Sequence, residues 1–214
     1  MENLEDDNTK IFLNKKGLRN MPPISSEVKH LEARRNMIES LAFPRYSELE
    51  YLDVSDNVIS SMNPISGLKK LKILDMGYNL IQHIPKLELP SLNELYLMSN
   101  DICRIENMDF EELTKCDLAN NELKTLDGIR CLKLEEGYFG ANHISCIPDL
   151  KHLQQLKILD LQYNKLDEVD CTLLPRSIEV LLLNNNKGLT KLHNLDYLGN
   201  LKLLGIKNTK VAGD

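Results

Sequence analysis

The sequence predicts an α/β fold, a solenoid of about ten short turns that each give one strand to a single parallel sheet. Three observations predict it. Residues 71–150 divide into four lines of one design: LKILDMGYNLIQHI, LNELYLMSNDICRI, LTKCDLANNELKTL and LEEGYFGANHISCI. Each repeats Leu-x-x-Leu-x-Leu-x-x-Asn-x-Leu-x-x-Leu, with Ile, Cys, Gly or Phe as occasional substitutes. The asparagines of these lines, Asn79, Asn100, Asn121 and Asn142, recur every 21 residues. Finally, all eight prolines fall outside the six residues that precede each asparagine position. A central strand does not tolerate the missing N–H of a proline, so their placement supports this register.

Self-similarity at this period and in this pattern is the signature of a leucine-rich repeat. The expected architecture is a horseshoe with a concave parallel β-sheet and short 3₁₀ or irregular convex segments. Residues 1–9 are polar and are read as an N-terminal tail; residues 10–214 are read as one solenoid. Ile11, Phe12 and Leu13, with Leu18 and Met21, fit a degenerate first turn that has Lys16 at the asparagine position. Turns built on Leu31, Leu52, Leu74, Leu95, Cys116, Gly137, Leu159, Leu181 and Leu204 follow. The asparagine-equivalent positions are 16, 36, 57, 79, 100, 121, 142, 164, 186 and 209, and eight of the ten are Asn. The exceptions, Lys16 and Thr209, belong to the outermost turns, where repeats are expected to be atypical. Leu201, Leu204 and Ile206 have no evident following cap, so that end is expected to be exposed, self-associating or covered by a partner.

The repeat has a physical logic. Side chains alternate across a strand, so the two strand leucines point into the solenoid and the residue between them points out. The asparagine sits where the chain turns, and its amide is expected to bond backbone groups of its own and neighbouring turns. Convex runs such as Ile102-x-x-Ile105-x-x-Met108 place apolar residues at every third position, a spacing that suits 3₁₀ turns.

Composition narrows the function. A formal net charge of -6 argues against a nucleic-acid interface and for partners with basic surfaces. MENLEDDNTK has no apolar run that would read as a secretory signal, and no window approaches the length of a membrane span. The five cysteines are scattered and lack CxxC spacing. They are read as reduced thiols of an intracellular protein, nuclear or cytoplasmic, and Cys116, at a core position, as a small hydrophobe. The five histidines share no strand position, and neither a phosphate loop nor a GxSxG motif occurs. Without a nucleophile–base pair the expectation is a non-enzymatic chain that needs no cofactor or metal. Arg34-Arg35 is read as a solvated turn, and Gly77 and Gly140 as isolated strand glycines.

The outward residues between the strand leucines form the candidate site. From the third turn they read Asp53, Asp75, Tyr96, Asp117, Tyr138 and Asp160. Aspartate is disfavoured in strands, and a row of acids alternating with tyrosines resembles a binding stripe. Asp53 and Asp75 are adjacent and like-charged. Glu94 and Glu136, two positions earlier on the same face, are expected to deepen the acidity, with Lys115 interrupting it.

From Leu49 to Val211 the chain resembles the leucine-rich-repeat regulatory subunits of type 1 protein phosphatase, which have short repeats of 21–22 residues. The resemblance is carried by LKILDMGYNLIQHI, LNELYLMSNDICRIENM and LEEGYFGANHISCIPDL. In that family, alternating acidic and aromatic concave residues dock on the phosphatase catalytic subunit away from its metals. The resemblance therefore implies that role for Asp75, Tyr96, Asp117 and Tyr138, with Asp53 and Asp160 extending the stripe by position. Leu182 and Gly205 depart from the pattern, because the family's later strands carry further aromatic contacts there. The alternatives are a leucine-rich subunit of a spliceosomal ribonucleoprotein, and a cytoskeletal or effector scaffold with another protein partner.

Overall fold

A computed structural model describes residues 8–44 and 47–211; most of the expected tail lies outside the described residues. The strands are three residues each: β1 Lys10–Phe12, β2 His30–Glu32, β3 Tyr51–Asp53, β4 Ile73–Asp75, β5 Glu94–Tyr96, β6 Lys115–Asp117, β7 Glu136–Tyr138, β8 Ile158–Asp160, β9 Glu168–Asp170, β10 Val180–Leu182, β11 Lys191–His193 and β12 Leu203–Gly205. Ten form one sheet in the order β1-β2-β3-β4-β5-β6-β7-β8-β10-β12, and every pairing is parallel. The architecture is the predicted solenoid.

Each strand's central residue faces in and its two flanking residues face out. Leu31, Leu52, Leu74, Leu95, Cys116, Leu159 and Leu181 are buried in one continuous core that runs the length of the array. Burial pushes the Cys116 thiol well up, as expected for an inert thiol used as a small apolar filler.

The asparagines do more than turn the chain. Asn79 is typical: its amide nitrogen donates to Val54 O of the preceding turn at 3.1 Å and to Met76 O of its own turn at 3.0 Å. Its Oδ1 accepts the Ile59 N–H of the preceding turn at 2.9 Å. Asn57, Asn100, Asn121, Asn142, Asn164 and Asn186 repeat this geometry and are likewise buried. They form a ladder that satisfies backbone groups between turns where no strand pairing is available. The residue just before each is left-handed, including the exposed Tyr78 (φ 54°) and Tyr163 (φ 56°). That backbone is unfavourable for L-residues, and the amide ladder holds it in place.

The convex side is mostly irregular, one of the two forms expected of it. Ile102, Ile105 and Met108 are buried as expected, but the backbone there is irregular. Among the described residues, 3₁₀ helix occurs only at Asn63–Ile65, Cys171–Leu173 and Leu195–Tyr197. Threefold apolar spacing requires only that every third side chain point inward, and an extended irregular path achieves that as well. Towards the C-terminal end the convex side instead forms a second two-stranded parallel sheet, β9 with β11.

Candidate functional site

The register brings the predicted residues together. On the outer face of consecutive strands, Asp53 pairs with Asp75, Asp75 with Tyr96, Tyr96 with Asp117, Asp117 with Tyr138, and Tyr138 with Asp160. Neighbouring strands lie about 4.8 Å apart, so the six residues form one row about 24 Å long.

The members of the row differ in ways the sequence did not predict. Asp53, expected to face solvent, is 2% exposed. Its Oδ1 accepts from Ser55 N–H at 3.0 Å and Ser55 Oγ at 2.7 Å, and Arg34 Nε lies 3.4 Å from its other oxygen. Arg34 also bonds Glu32 at 3.0 Å, so it is more than a solvated turn residue, whereas Arg35, 3.6 Å from the exposed Asp56, is solvated as expected. Asp53 thus belongs more to the structure than to the exposed stripe.

Asp75, Asp117 and Asp160 make the same short-range backbone bond as Asp53 but lack its arginine. Each Oδ1 accepts the N–H two residues on: Gly77 at 2.9 Å, Ala119 at 2.8 Å and Gln162 at 2.9 Å. This short-range bond explains why aspartate recurs at a strand position it otherwise avoids. Among the described residues, none of the three aspartates is ion-paired to a cation. Their charge is therefore held half-buried and without a cationic partner. Burial, with the neighbouring Asp53 charge adding to it and the Gly77 N–H opposing, pushes the Asp75 carboxyl up to about 6. Burial raises Asp117 too, in the company of Asp160.

The tyrosines are fixed before any partner arrives. Tyr96 Oη donates to Glu94, and Tyr138 Oη donates to Glu136 Oε2 at 3.0 Å. Lys115 Nζ sits 3.0 Å from Glu136 and 5.5 Å from the Tyr138 ring centre. Burial and these carboxylates push the Tyr138 hydroxyl up to about 12 and Tyr96 higher still, so both hydroxyls stay protonated as donors. Glu94 and Glu136 thus orient the rings; Glu94 keeps its charge, because a neutral hydroxyl donor does not neutralise a carboxylate, whereas Lys115 compensates Glu136.

Sequence reading followed the second outward column, two residues before the row, only at Glu94, Lys115 and Glu136. At its start His30 and Tyr51 stack with ring centres 4.2 Å apart, and Phe12, which belongs to the row's own column on β1, reaches across to His30 at 5.4 Å. The same period-based listing, applied to this other outward position, would have found the stacked pair. Gly77 and Gly140 lie just beyond strands; among the described residues the glycines within strands are Gly137 and Gly205.

The Asp75 shift makes a stability prediction. A carboxyl with a raised folded pKa binds its proton more tightly folded than unfolded, so stability falls as pH rises from about 4 through 6. Asp75→Asn keeps the acceptor for Gly77 N–H and removes the charge. It should stabilise the protein by about 1–2 kcal/mol at pH 7.5, after allowance for solvent screening, and by little at pH 4.5. Urea titrations at the two pH values test this, and equal effects at both would refute it.

No protein-family model matches the chain. Lumican from Gallus gallus is 30% identical over 189 residues, which is 84% of this chain and 50% of lumican. PH domain leucine-rich repeat-containing protein phosphatase 1 of Mus musculus is 26% identical over 201 residues, 89% of this chain but 11% of that protein. The chain thus spans about half the length of lumican and a small part of the phosphatase. Among solved structures, YopM, a leucine-rich effector protein from Yersinia pestis, superposes with a TM-score of 0.75 at 25% identity, over 94% of this chain and 61% of that one. The chain is a leucine-rich-repeat protein. This leucine-rich-repeat chain also matches one from an octameric complex of Latrophilin 3, Unc5D and the FLRT2 repeat domain, with a TM-score of 0.68 at 22% identity, over 98% of this chain and 84% of that one. That complex is an instance of the fold in a protein assembly.

Proposed function

We propose that this leucine-rich-repeat chain is a non-catalytic, intracellular scaffold that binds the catalytic subunit of type 1 protein phosphatase on its concave sheet. The observation that carries the reading is the unbroken row Asp75–Tyr96–Asp117–Tyr138 in register on four adjacent strands. It matches the alternation of acidic and aromatic residues in the phosphatase regulatory subunits that the sequence resembles.

The chemistry of the row supports a folded partner with basic groups. Tyrosine rings pinned by Glu94 and Glu136 lose little side-chain entropy on docking. Aspartates already burdened by burial gain from a partner cation, because it relieves a penalty the free protein carries. Binding of a cation at Asp75 favours the ionised carboxyl. Affinity should therefore fall as pH drops below about 6, by no more than tenfold per unit for this one group.

Titration of the purified phosphatase catalytic subunit tests the reading. Tyr96→Ala should weaken binding by about 2 kcal/mol, roughly 30-fold, if Tyr96 is a buried anchor. No binding by the wild-type chain would remove the phosphatase as partner. The fold match to the YopM effector would then favour the second reading, an effector-type scaffold with another protein partner.

A further inference from the structure

The outer face of the sheet changes character after Tyr138. On β8, β10 and β12 the register aligns Ile158 with Val180 and Leu203 in one column, and Asp160 with Leu182 and Gly205 in the other. Five of these six outward positions carry no polar side chain. Leu203 is 54% exposed, and Ile158, Val180 and Leu182 are half-buried. Outward positions of a strand with one solvated face are normally polar, and a contiguous apolar area inside a polar margin has the anatomy of an interface core and rim.

The margins here are polar but internally satisfied. On one side Lys157 pairs with Glu135 at 2.6 Å and Lys202 with Glu179 at 2.7 Å. On the other, Asn184 Nδ2 donates to Gln162 Oε1 at 2.8 Å, and Asn184 Oδ1 accepts the Lys207 N–H at 2.7 Å. Gly205 keeps that second margin intact, since a Cβ there would come within 2.7 Å of Asn184 Nδ2.

We infer that this shelf is the apolar half of a two-part docking surface whose acidic half is the Asp/Tyr row. The occupant is a partner segment that presents cationic side chains to Asp75 and Asp117 and bulky apolar side chains to Val180 and Leu203. The inference rests on the row being a binding surface, and it adds an order and a spacing to the epitope. Asp117 and Leu182 are three strands apart, about 14 Å, which is about four residues of extended chain. A second copy of this chain fits poorly, because it would bring the same acidic row and the same net charge of -6 to the contact.

Labelled synthetic peptides test this against the intact protein. One carries two arginines and, four residues on, a Leu-Phe pair; a second replaces Leu-Phe by serines, and a third replaces the arginines by serines. The two-part peptide should bind at least about tenfold tighter than either half, the scale of one well-buried apolar contact. Val180→Thr/Leu203→Thr keeps β propensity and should bring the two-part peptide down to the arginine-only level, leaving the arginine-only peptide unaffected. Equal binding of the two-part and arginine-only peptides, or a gain that survives the threonine variant, would overturn the shelf. Dimerisation in sedimentation that the threonine variant abolishes, with no peptide binding, would overturn it in favour of a second copy. An apolar-only peptide that binds wild type, loses binding in the threonine variant and gains nothing from arginines would overturn the acidic row and leave the shelf standing.

Discussion

Asn121→Ala should destabilise the protein by about 3–5 kcal/mol, a large fraction of the stability of a typical domain. Asn121 Oδ1 holds the Ile102 N–H at 3.0 Å, and its Nδ2 reaches Leu97 O at 3.0 Å, Leu118 O at 3.1 Å and Ala119 O at 3.2 Å. Alanine supplies none of these bonds, and the Asn121 site is nearly closed to water. An orphaned buried N–H alone costs about 1–3 kcal/mol, and the carbonyls add to it. Position matters because a solenoid is stabilised by neighbour-to-neighbour contacts, so a break in the middle uncouples two halves. Asn36→Ala should cost less, since the Lys16 N–H that Asn36 accepts is exposed. Equilibrium urea unfolding monitored by circular dichroism measures both. A change of less than about 0.5 kcal/mol at Asn121 would mean that water replaces the amide and that the ladder is not what joins the turns.

Gly137→Leu should destabilise by about 3 kcal/mol, at the upper end of ordinary overpacking, although leucine is the consensus residue there. A Cβ on Gly137 would lie 2.7 Å from Phe139 Cε2, and Phe139 is fully buried. The strand centre in this turn has given its volume to the Phe139 ring. Gly137→Leu/Phe139→Leu restores the leucine pair found at Leu95/Leu97 and Leu159/Leu161 and should recover most of the loss, because the ring that obstructs a side chain at position 137 is removed. If the double variant is as unstable as the single one, Phe139 is not what fills the Gly137 position.

Both predictions mark where the sequence was legible. The repeated asparagine announced the turn, and the structure adds that its amide is shared between two turns. In the line LEEGYFGANHISCI, Gly137 and Phe139 looked like independent substitutions of leucine. That they are one compensating pair depends on the direction of the Phe139 ring, which spacing does not encode. The candidate row was readable to the residue, because a period of two within the strand and 21–22 between strands leaves one choice of outward position. Its electrostatics were not. Asp53 is covered by Arg34 and Glu136 is held by Lys115, both through cross-strand contacts. The apolar shelf was written in the other outward column, at Ile158, Val180 and Leu203, whose significance appears only once the two columns are laid side by side.

The sequence by itself determined the fold, the register and the identity of the outward row. Each follows from a strictly periodic pattern of burial that admits one threading of the chain. Tertiary structure alone decided which acids on that row are compensated, which tyrosines are pinned, and where the acidic face gives way to an apolar one. The compensation and the apolar face depend on side chains that are some twenty residues apart along the chain but neighbours across the sheet. Each tyrosine is instead pinned by the glutamate two residues before it, a bond that spacing allows but does not specify.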